Sequence, residues 1–219
     1  MDKLIDDLIK LAFAEDIGDG DHTTLCCIPE TAMGKSQLII KEDGVLAGVE
    51  MAKRIFHDFD PELKMTVFIQ DGAEVKKGDI AFVVEGKIQS LLQTERLMLN
   101  VMQRMSGIAT TTRKYAKALE GTKTHVLDTR KTTPGMRMIE KEAVRIGGGM
   151  NHRIGLFDMI LLKDNHVDFA GGIEQAITRA QNYLKEKGKS LKIEIEVRNF
   201  DELEPVSYTH LTLPTNSLV

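Results

Sequence analysis

Two apolar runs that each end in charge constrain this chain more than any other feature. THVLDT (124–129) and LFDMILLKD (156–164) are strand-like along their length and polar at their C-terminal ends. Parallel strands covered on both faces read this way, with apolar bodies and the chemistry at the tips. The surrounding pattern alternates: strand 124–129, helix 138–147, strand 156–164, helix 171–187, strand 191–197. This is a βαβαβ order, in which each helix returns the chain for parallel pairing.

The upstream half differs. Leu4, Ile5, Leu8, Ile9, Leu11 and Ala12 share one helical face, with Asp2 as the expected N-cap, and EDIGDGDHTT reads as a loop. Strands are predicted over 36–43, 65–72 and 80–86, with a helix over 52–59. Gly72 and Gly78 suggest a hairpin around AEVKK. Residues 90–120 have helical period, with Gly107 expected to divide them into two helices and Gly121 to end the second. The fold class is therefore α/β: an N-terminal α/β sandwich, then an incomplete (β/α) barrel of parallel strands. The expected divisions are 1–107 for the sandwich and interface helix, 108–205 for the first part of the barrel, and 206–219 for a tail. That tail, VSYTHLTLPTNSLV, contains no Asp, Glu, Lys or Arg in a chain that is 28% charged. It is read as foreign to the fold, with Pro205 interrupting the helix after the third strand.

A net charge of −4 argues against a nucleic-acid coat. The cations instead concentrate between Asp128 and His166: Arg130, Lys131, Arg137, Arg145, His152, Arg153, Lys163 and His166. Strand ends that share a cationic rim suit a small anion, above all one carrying phosphate. Arg130 offers a planar fork for carboxylate or phosphate, and Lys131 a mobile point charge. In TTPG (132–135), Pro134 and Gly135 set a turn. GGGMNHR (147–153) permits close backbone approach to a ligand, or else is a flexible helix end. GxxxxGK[ST] and GxGxxG are both absent. His152 beside Arg153 suits an aromatic acid. Lys163 closes an apolar run and needs an anion. Glu194 and Glu196 share strand parity and so one face, where Lys163 or a divalent cation would balance them. Either carboxylate also fits a half-exposed edge strand. Adjacent Cys26 and Cys27 make no disulfide framework and no CxxC motif, and read as bystander thiols in a reducing cytosol. His22, His57, His125 and His210 lack ligand spacing, and Ser106 lacks a nucleophile elbow. Neither a signal peptide nor a membrane span is legible, so a cytoplasmic setting without membrane partners is expected.

EDIGDGDHTT, ERLMLNVMQRMSGIAT, DTRKTTPGMR, GGGMNHRIGLFDMILLKDNH and IEIEV, in this order, closely resemble the quinolinate phosphoribosyltransferase family (nicotinate-nucleotide pyrophosphorylase, carboxylating) from about residue 4 to 204. The resemblance implies a pentosyltransferase of pyridine-nucleotide and NAD biosynthesis. It would make nicotinate mononucleotide, CO₂ and diphosphate from quinolinate and phosphoribosyl diphosphate with Mg²⁺. It also implies a homodimer with shared active sites. Residue by residue, Arg96 matches an arginine reaching the neighbouring subunit's site, and Arg130, His152 and Arg153 match the holders of the quinolinate carboxylates. Lys131 and Lys163 match lysines near carboxylate and diphosphate, and Glu196 matches the acidic residue of the metal–ribose region. The family's next Asp and its Ser-Gly-Gly phosphate loop do not follow Pro205, so the chain as it stands is expected to be inactive. Two other readings stay open: a paralogue acting on another acid, and a non-catalytic fragment that dimerises.

Overall fold

The computed structural model describes residues 2–207 and 217–218. Most of the segment expected to be foreign, His210 included, lies outside the described residues. The chain divides into two compact units, one ending at Asn151 and the other covering His152–Ser217.

The first unit runs α1 (Asp2–Ile17), α2 (His22–Cys27), β1 (Met33–Ile39), β2 (Gly44–Val45), α3 (Val49–Phe59), β3 (Lys64–Val67), β4 (Glu74–Val75), β5 (Ile80–Lys87), α4 (Ile88–Ala118), β6 (His125–Val126) and α5 (Arg137–Ile146). β5 is the centre of an antiparallel sheet ordered β1-β5-β3. Its Phe82 and Val84 are buried, two residues apart as the pleat requires. Val49, Ala52, Ile55 and Phe56 make the buried face of α3, and Phe56 meets Phe82 edge-on, ring centres 6.3 Å apart. α3 begins at Gly48, whose φ of 101° leaves no room for a side chain: a Cβ there would lie 3.2 Å from the Met102 backbone. Asp71, from a distant loop, supplies the missing cap by accepting from the Val49 amide at 2.8 Å.

Several local expectations are corrected. Asp2 is the first described residue of α1 rather than its cap, and Asp21 caps a short helix inside the expected loop, accepting from the Thr24 amide at 3.1 Å. The segment between Gly72 and Gly78 is no hairpin, because β4 pairs with β2. α4 passes through Gly107 unbroken for 31 residues. Glycine costs an exposed helix interior about 1 kcal/mol. Met98, Met102, Met105, Ala109 and Thr112, spaced three and four apart, bury a stripe that outweighs it.

α5 lies against α4 through a glycine contact. A Cβ at Gly147 would come within 2.6 Å of the Ala109 carbonyl and 2.7 Å of Thr112 Cβ. Backbone cannot yield as a flexible side chain does, so Gly147→Ala is expected to destabilise the fold by about 1–3 kcal/mol. Thermal denaturation followed by circular dichroism checks this; an unchanged melting temperature would show that the helices separate freely.

The second unit runs β7 (Met159–Leu162), α6 (Asp164–Ala170), α7 (Ile173–Lys187), β8 (Lys192–Ile195) and α8 (Phe200–Ser207). β7 and β8 pair in parallel, with Ile160 opposite Ile193 and Leu161 opposite Glu194. One face of the pair is apolar: Leu162, Ile195 and Val197 pack on Val167, Ile173, Ala176, Ile177 and Val206 of the helices. The opposite face carries Met159 and Leu161 of β7 beside Glu194 of β8, with Lys163 and Glu196 just past the strand ends, so β7 is apolar on both faces and β8 on one. The expected three-stranded parallel sheet is present as two pieces, a parallel bridge Leu127–Met150 in the first unit and β7–β8 in the second. α8 also runs on through Pro205. Proline removes one ladder hydrogen bond, but burial of Val206, which is 5% exposed, holds the next turn in place. Ser217–Leu218 form a two-residue strand, β9. Among the described residues no helix is long and apolar enough to cross a membrane.

Candidate active site

Of the nine basic side chains in the 128–166 stretch, Lys141 is buried against Asp128 and the other eight separate by partner. Arg145 is bound to Glu142 on its own helix, Nε to Oε2 at 2.9 Å. His166 caps α6 by accepting from the Lys163 amide through Nδ1 at 3.0 Å. Arg137 reaches back into the preceding loop, donating to Thr132 Oγ1 at 3.0 Å and to the Arg130 carbonyl at 3.2 Å. Arg145 is thus paired within its helix, and the other two hold backbone. Arg130, Lys131, His152, Arg153 and Lys163 are left as candidates for a ligand.

In the first unit, Arg130 and Lys131 sit in the loop between β6 and α5. Thr133 in this loop donates its amide to Glu140 Oε2 at 3.2 Å, and Arg104 of α4 donates to Glu140 Oε1 at 2.7 Å and to Thr133 Oγ1 at 2.8 Å. Burial pushes the Glu140 carboxyl up, but the bonds from Thr133 and Arg104 outweigh it and hold it below the ordinary carboxylate range. A depressed carboxylate stabilises the fold above its unfolded value of about 4.3 and loses that contribution as pH falls through its folded value. Glu140→Gln is therefore expected to flatten the acid limb of a stability–pH curve below about pH 4.3. An unchanged slope would remove Glu140 from that role. The anchored loop presents Arg130 with its Nε buried and without a hydrogen-bond partner. Lys131 is exposed, and among the described residues its ammonium makes no ion pair. Arg96 is likewise exposed and without an ion pair on α4.

In the second unit, Asp158 folds the loop after the glycines by accepting from the Ile154 amide at 2.7 Å and the Gly155 amide at 2.8 Å. Arg153 in that loop is only 9% exposed, and no carboxylate pairs with it among the described residues. His152 Nε2 lies 2.9 Å from Glu194 Oε2, and Lys163 Nζ lies 3.1 Å from Glu196 Oε1. The shared parity of the two glutamates thus serves two different partners, an imidazole and an ammonium. Cys26 and Cys27 are free and exposed, and Ser106 bonds the Ala47 backbone.

Sequence reasoning missed Glu140, Lys141 and Arg104. The helical repeat held a signal: Met136, Ile139, Ala143 and Ile146 define the apolar face of α5, and Glu140 and Lys141 flank it too closely to reach solvent. An open cleft of about 580 Å³ between α4 and β6 is lined by groups such as Ile108, Thr111, Tyr115, Val126 and Leu127. Arg104 and Asp128 also line it, whereas Arg96, Arg130 and Lys131 do not, and most of its surface is apolar.

Comparison with known proteins bears on what these residues do. Residues 21–106 match the model of the quinolinate phosphoribosyl transferase N-terminal domain, and residues 108–211 that of its C-terminal domain. Quinolinate phosphoribosyltransferase [decarboxylating] 1 of Nicotiana glauca is 45% identical over 94% of this chain. The chloroplastic nicotinate-nucleotide pyrophosphorylase [carboxylating] of Arabidopsis thaliana is 46% identical over 91%. The chain spans 59% and 57% of these two relatives. The crystal structure of NadC from Streptococcus pyogenes superposes with a TM-score of 0.88 at 38% identity, over 96% of this chain and 74% of that one. With two family models meeting on α4 and that superposition over nearly its whole length, the chain belongs to the quinolinate phosphoribosyltransferase family.

Proposed function

We propose that this protein transfers the phosphoribosyl group of phosphoribosyl diphosphate to quinolinate with loss of CO₂, giving nicotinate mononucleotide and diphosphate for NAD biosynthesis. The observation that carries the reading is a half-buried arginine with an unpartnered Nε and a buried arginine, neither with a carboxylate beside it among the described residues. Arg130 has a buried, unsatisfied Nε, and Arg153 is buried with no carboxylate beside it. Such groups are costly unless a ligand satisfies them, and a small dicarboxylate supplies acceptors of the right charge and shape. Arg130, His152 and Arg153 grip the quinolinate carboxylates and aim the ring nitrogen at ribose C1. The Glu194 contact orients the His152 imidazole for this task.

Lys131 and Lys163 offset the negative charge of carboxylate and departing diphosphate. The C1–N bond forms as the C1–O bond to diphosphate breaks, and the leaving group carries away the electron pair. The ring nitrogen then bears positive charge, so the adjacent carboxylate can leave as CO₂ and its bonding electrons stay on a carbon stabilised by that charge. A proton completes the product. No side-chain nucleophile is needed, in keeping with a site of cations.

Mg²⁺ is part of the same proposal. Among the described residues no cluster of three His, Cys, Asp or Glu could hold a metal. A lone carboxylate, Glu196, fits the manner in which Mg²⁺ is held mainly by substrate phosphate and water. When bound there it would neutralise diphosphate charge. We place the protein in the cytoplasm as a homodimer, the free thiols of Cys26 and Cys27 suiting a reducing compartment. Arg96 acts on the partner's substrate, consistent with its exposure and lack of an ion pair. Subunits carrying Arg96→Ala mixed with subunits carrying Lys163→Ala, both in a chain extended to its relatives' full length, are expected to recover activity in the heterodimer. No gain over either parent would place Arg96 outside a shared site.

The proposal is tested by calorimetric titration of residues 1–219 with quinolinate. Saturable binding is expected, with nicotinate weaker by about tenfold because it lacks the second carboxylate. Equal affinity for the two would favour a paralogue of other specificity, and no heat with either would overturn the assignment. Lys163 and Glu196 are 45% and 54% exposed, so Glu196→Gln should change stability by less than about 1 kcal/mol. It should still weaken phosphoribosyl diphosphate binding in Mg²⁺ about tenfold.

A further inference from the structure

The residues assigned to quinolinate do not hold themselves in place, and one side-chain cluster near them has no role in the chemistry above. Lys141 of α5 is 2% exposed, an unusual place for an ammonium group, and it is bound to Asp128, whose side chain is 7% exposed. Asp128 stands two residues before Arg130 at the end of β6. The side-chain amide of Asn151, oriented to suit its neighbours, donates to Asp128 Oδ2 at 2.8 Å and to the Lys141 carbonyl at 2.9 Å. Asn151 immediately precedes His152. Three segments of the first unit are therefore tied at one point: the strand leading to Arg130, the helix behind it, and the glycine segment leading to His152. Backbone bonds run alongside, from the Met150 amide to the Val126 carbonyl at 2.8 Å and from the Asp128 amide to the Met150 carbonyl at 3.2 Å.

We propose that Asp128, Lys141 and Asn151 are positioning residues for quinolinate binding, setting the backbone from which Arg130 and His152 project. The inference rests on the function proposed above. A buried ion pair is weak support for stability, since desolvation of both charges offsets most of their attraction, and an apolar pair of similar size often serves as well. What charge and directed hydrogen bonds add is a single geometry. Here that geometry ties the loop bearing Arg130 to the glycine segment 147–151 of the same unit, the segment that leads into His152. Glycines at 147–149 would otherwise leave the second loop free to move. The backbone ladder fixes Met150, and the Asn151 amide carries the constraint one residue further.

Asn151→Ala is the informative variant, because it removes the tie without leaving a buried charge unpaired. In residues 1–219 it is expected to weaken quinolinate binding about tenfold in calorimetry and to leave phosphoribosyl diphosphate binding within twofold. Asn151→Asp is expected to fail as well, since a second carboxylate would face Asp128, whereas Asn151→His, which keeps a donor, should recover part of the affinity. Amide hydrogen exchange read on the same samples without ligand should quicken at 128–131 and 150–153 and stay unchanged in β1, β3 and β5. Quinolinate affinity within twofold of the parent, or exchange unchanged in both loops, would overturn the positioning role. An equal loss for both ligands would also overturn it, because that is the signature of general destabilisation. Should the parent itself not bind quinolinate, the proposed function fails, and the exchange pattern alone decides whether the tie couples the loops.

Discussion

Arg130→Ala is expected to weaken quinolinate binding about 100-fold while leaving the protein folded. A hydrogen bond between charged groups contributes about 1.5–3 kcal/mol, and each 1.4 kcal/mol is a factor of ten in affinity. The upper part of that range applies because Arg130 Nε is already removed from water and has no protein acceptor to lose. Truncation therefore deletes a ligand contact without orphaning a partner, and the melting temperature should move by no more than about 2 °C. Arg153→Ala is expected to act in the same direction, since Arg153 is buried without a carboxylate beside it among the described residues. Titration calorimetry with quinolinate, accompanied by thermal denaturation, separates the two effects. An affinity within twofold of the parent would remove Arg130 from the binding site, and a large fall in melting temperature would make it a structural residue.

Lys141→Met carries the largest expected effect on stability. It takes the ammonium partner away from the Asp128 carboxylate in a site where the side chain is only 7% exposed. Breaking a buried pair from one side costs about 3–5 kcal/mol. Donation from Asn151 at 2.8 Å persists and places the expected loss near the lower bound. For a protein of this size that corresponds to a fall of roughly 10 °C in melting temperature. Adding Asp128→Leu to the same chain should recover much of it, because removing both charges also removes the desolvation they required. A single variant as stable as the parent would mean that Asp128 finds another counter-charge or becomes protonated.

Much of the fold was legible before any coordinates. The three strands of the antiparallel sheet and the helices at 137–146 and 173–187 follow from periodicity, which depends on residue spacing alone. Local rules failed where distant packing decided the outcome. Gly107 and Pro205 are helix breakers by propensity, yet α4 and α8 run through them, held by the methionine stripe and by Val206. The apparent hairpin at 72–78 was lost because Val75 found a partner in Gly44, thirty residues away and invisible to local pattern.

The site divides along the same line. Sequence by itself determined which kind of chemistry this protein can host: a run of Arg, Lys and His at the ends of apolar segments, with no nucleophile elbow and no metal-ligand spacing. It also determined that Glu194 and Glu196 share a face, since strand parity is a local property. Only the tertiary structure decided which cation each carboxylate meets, and so which cations stay available to a ligand. Arg145 finds Glu142 and Arg137 its own loop, whereas Arg130, half-buried with its Nε unpartnered, and the buried Arg153 have no anion among the described residues. The reason is that charge is a property of a residue, but its cost or use depends on burial and partners, which are set by packing between segments far apart in the chain.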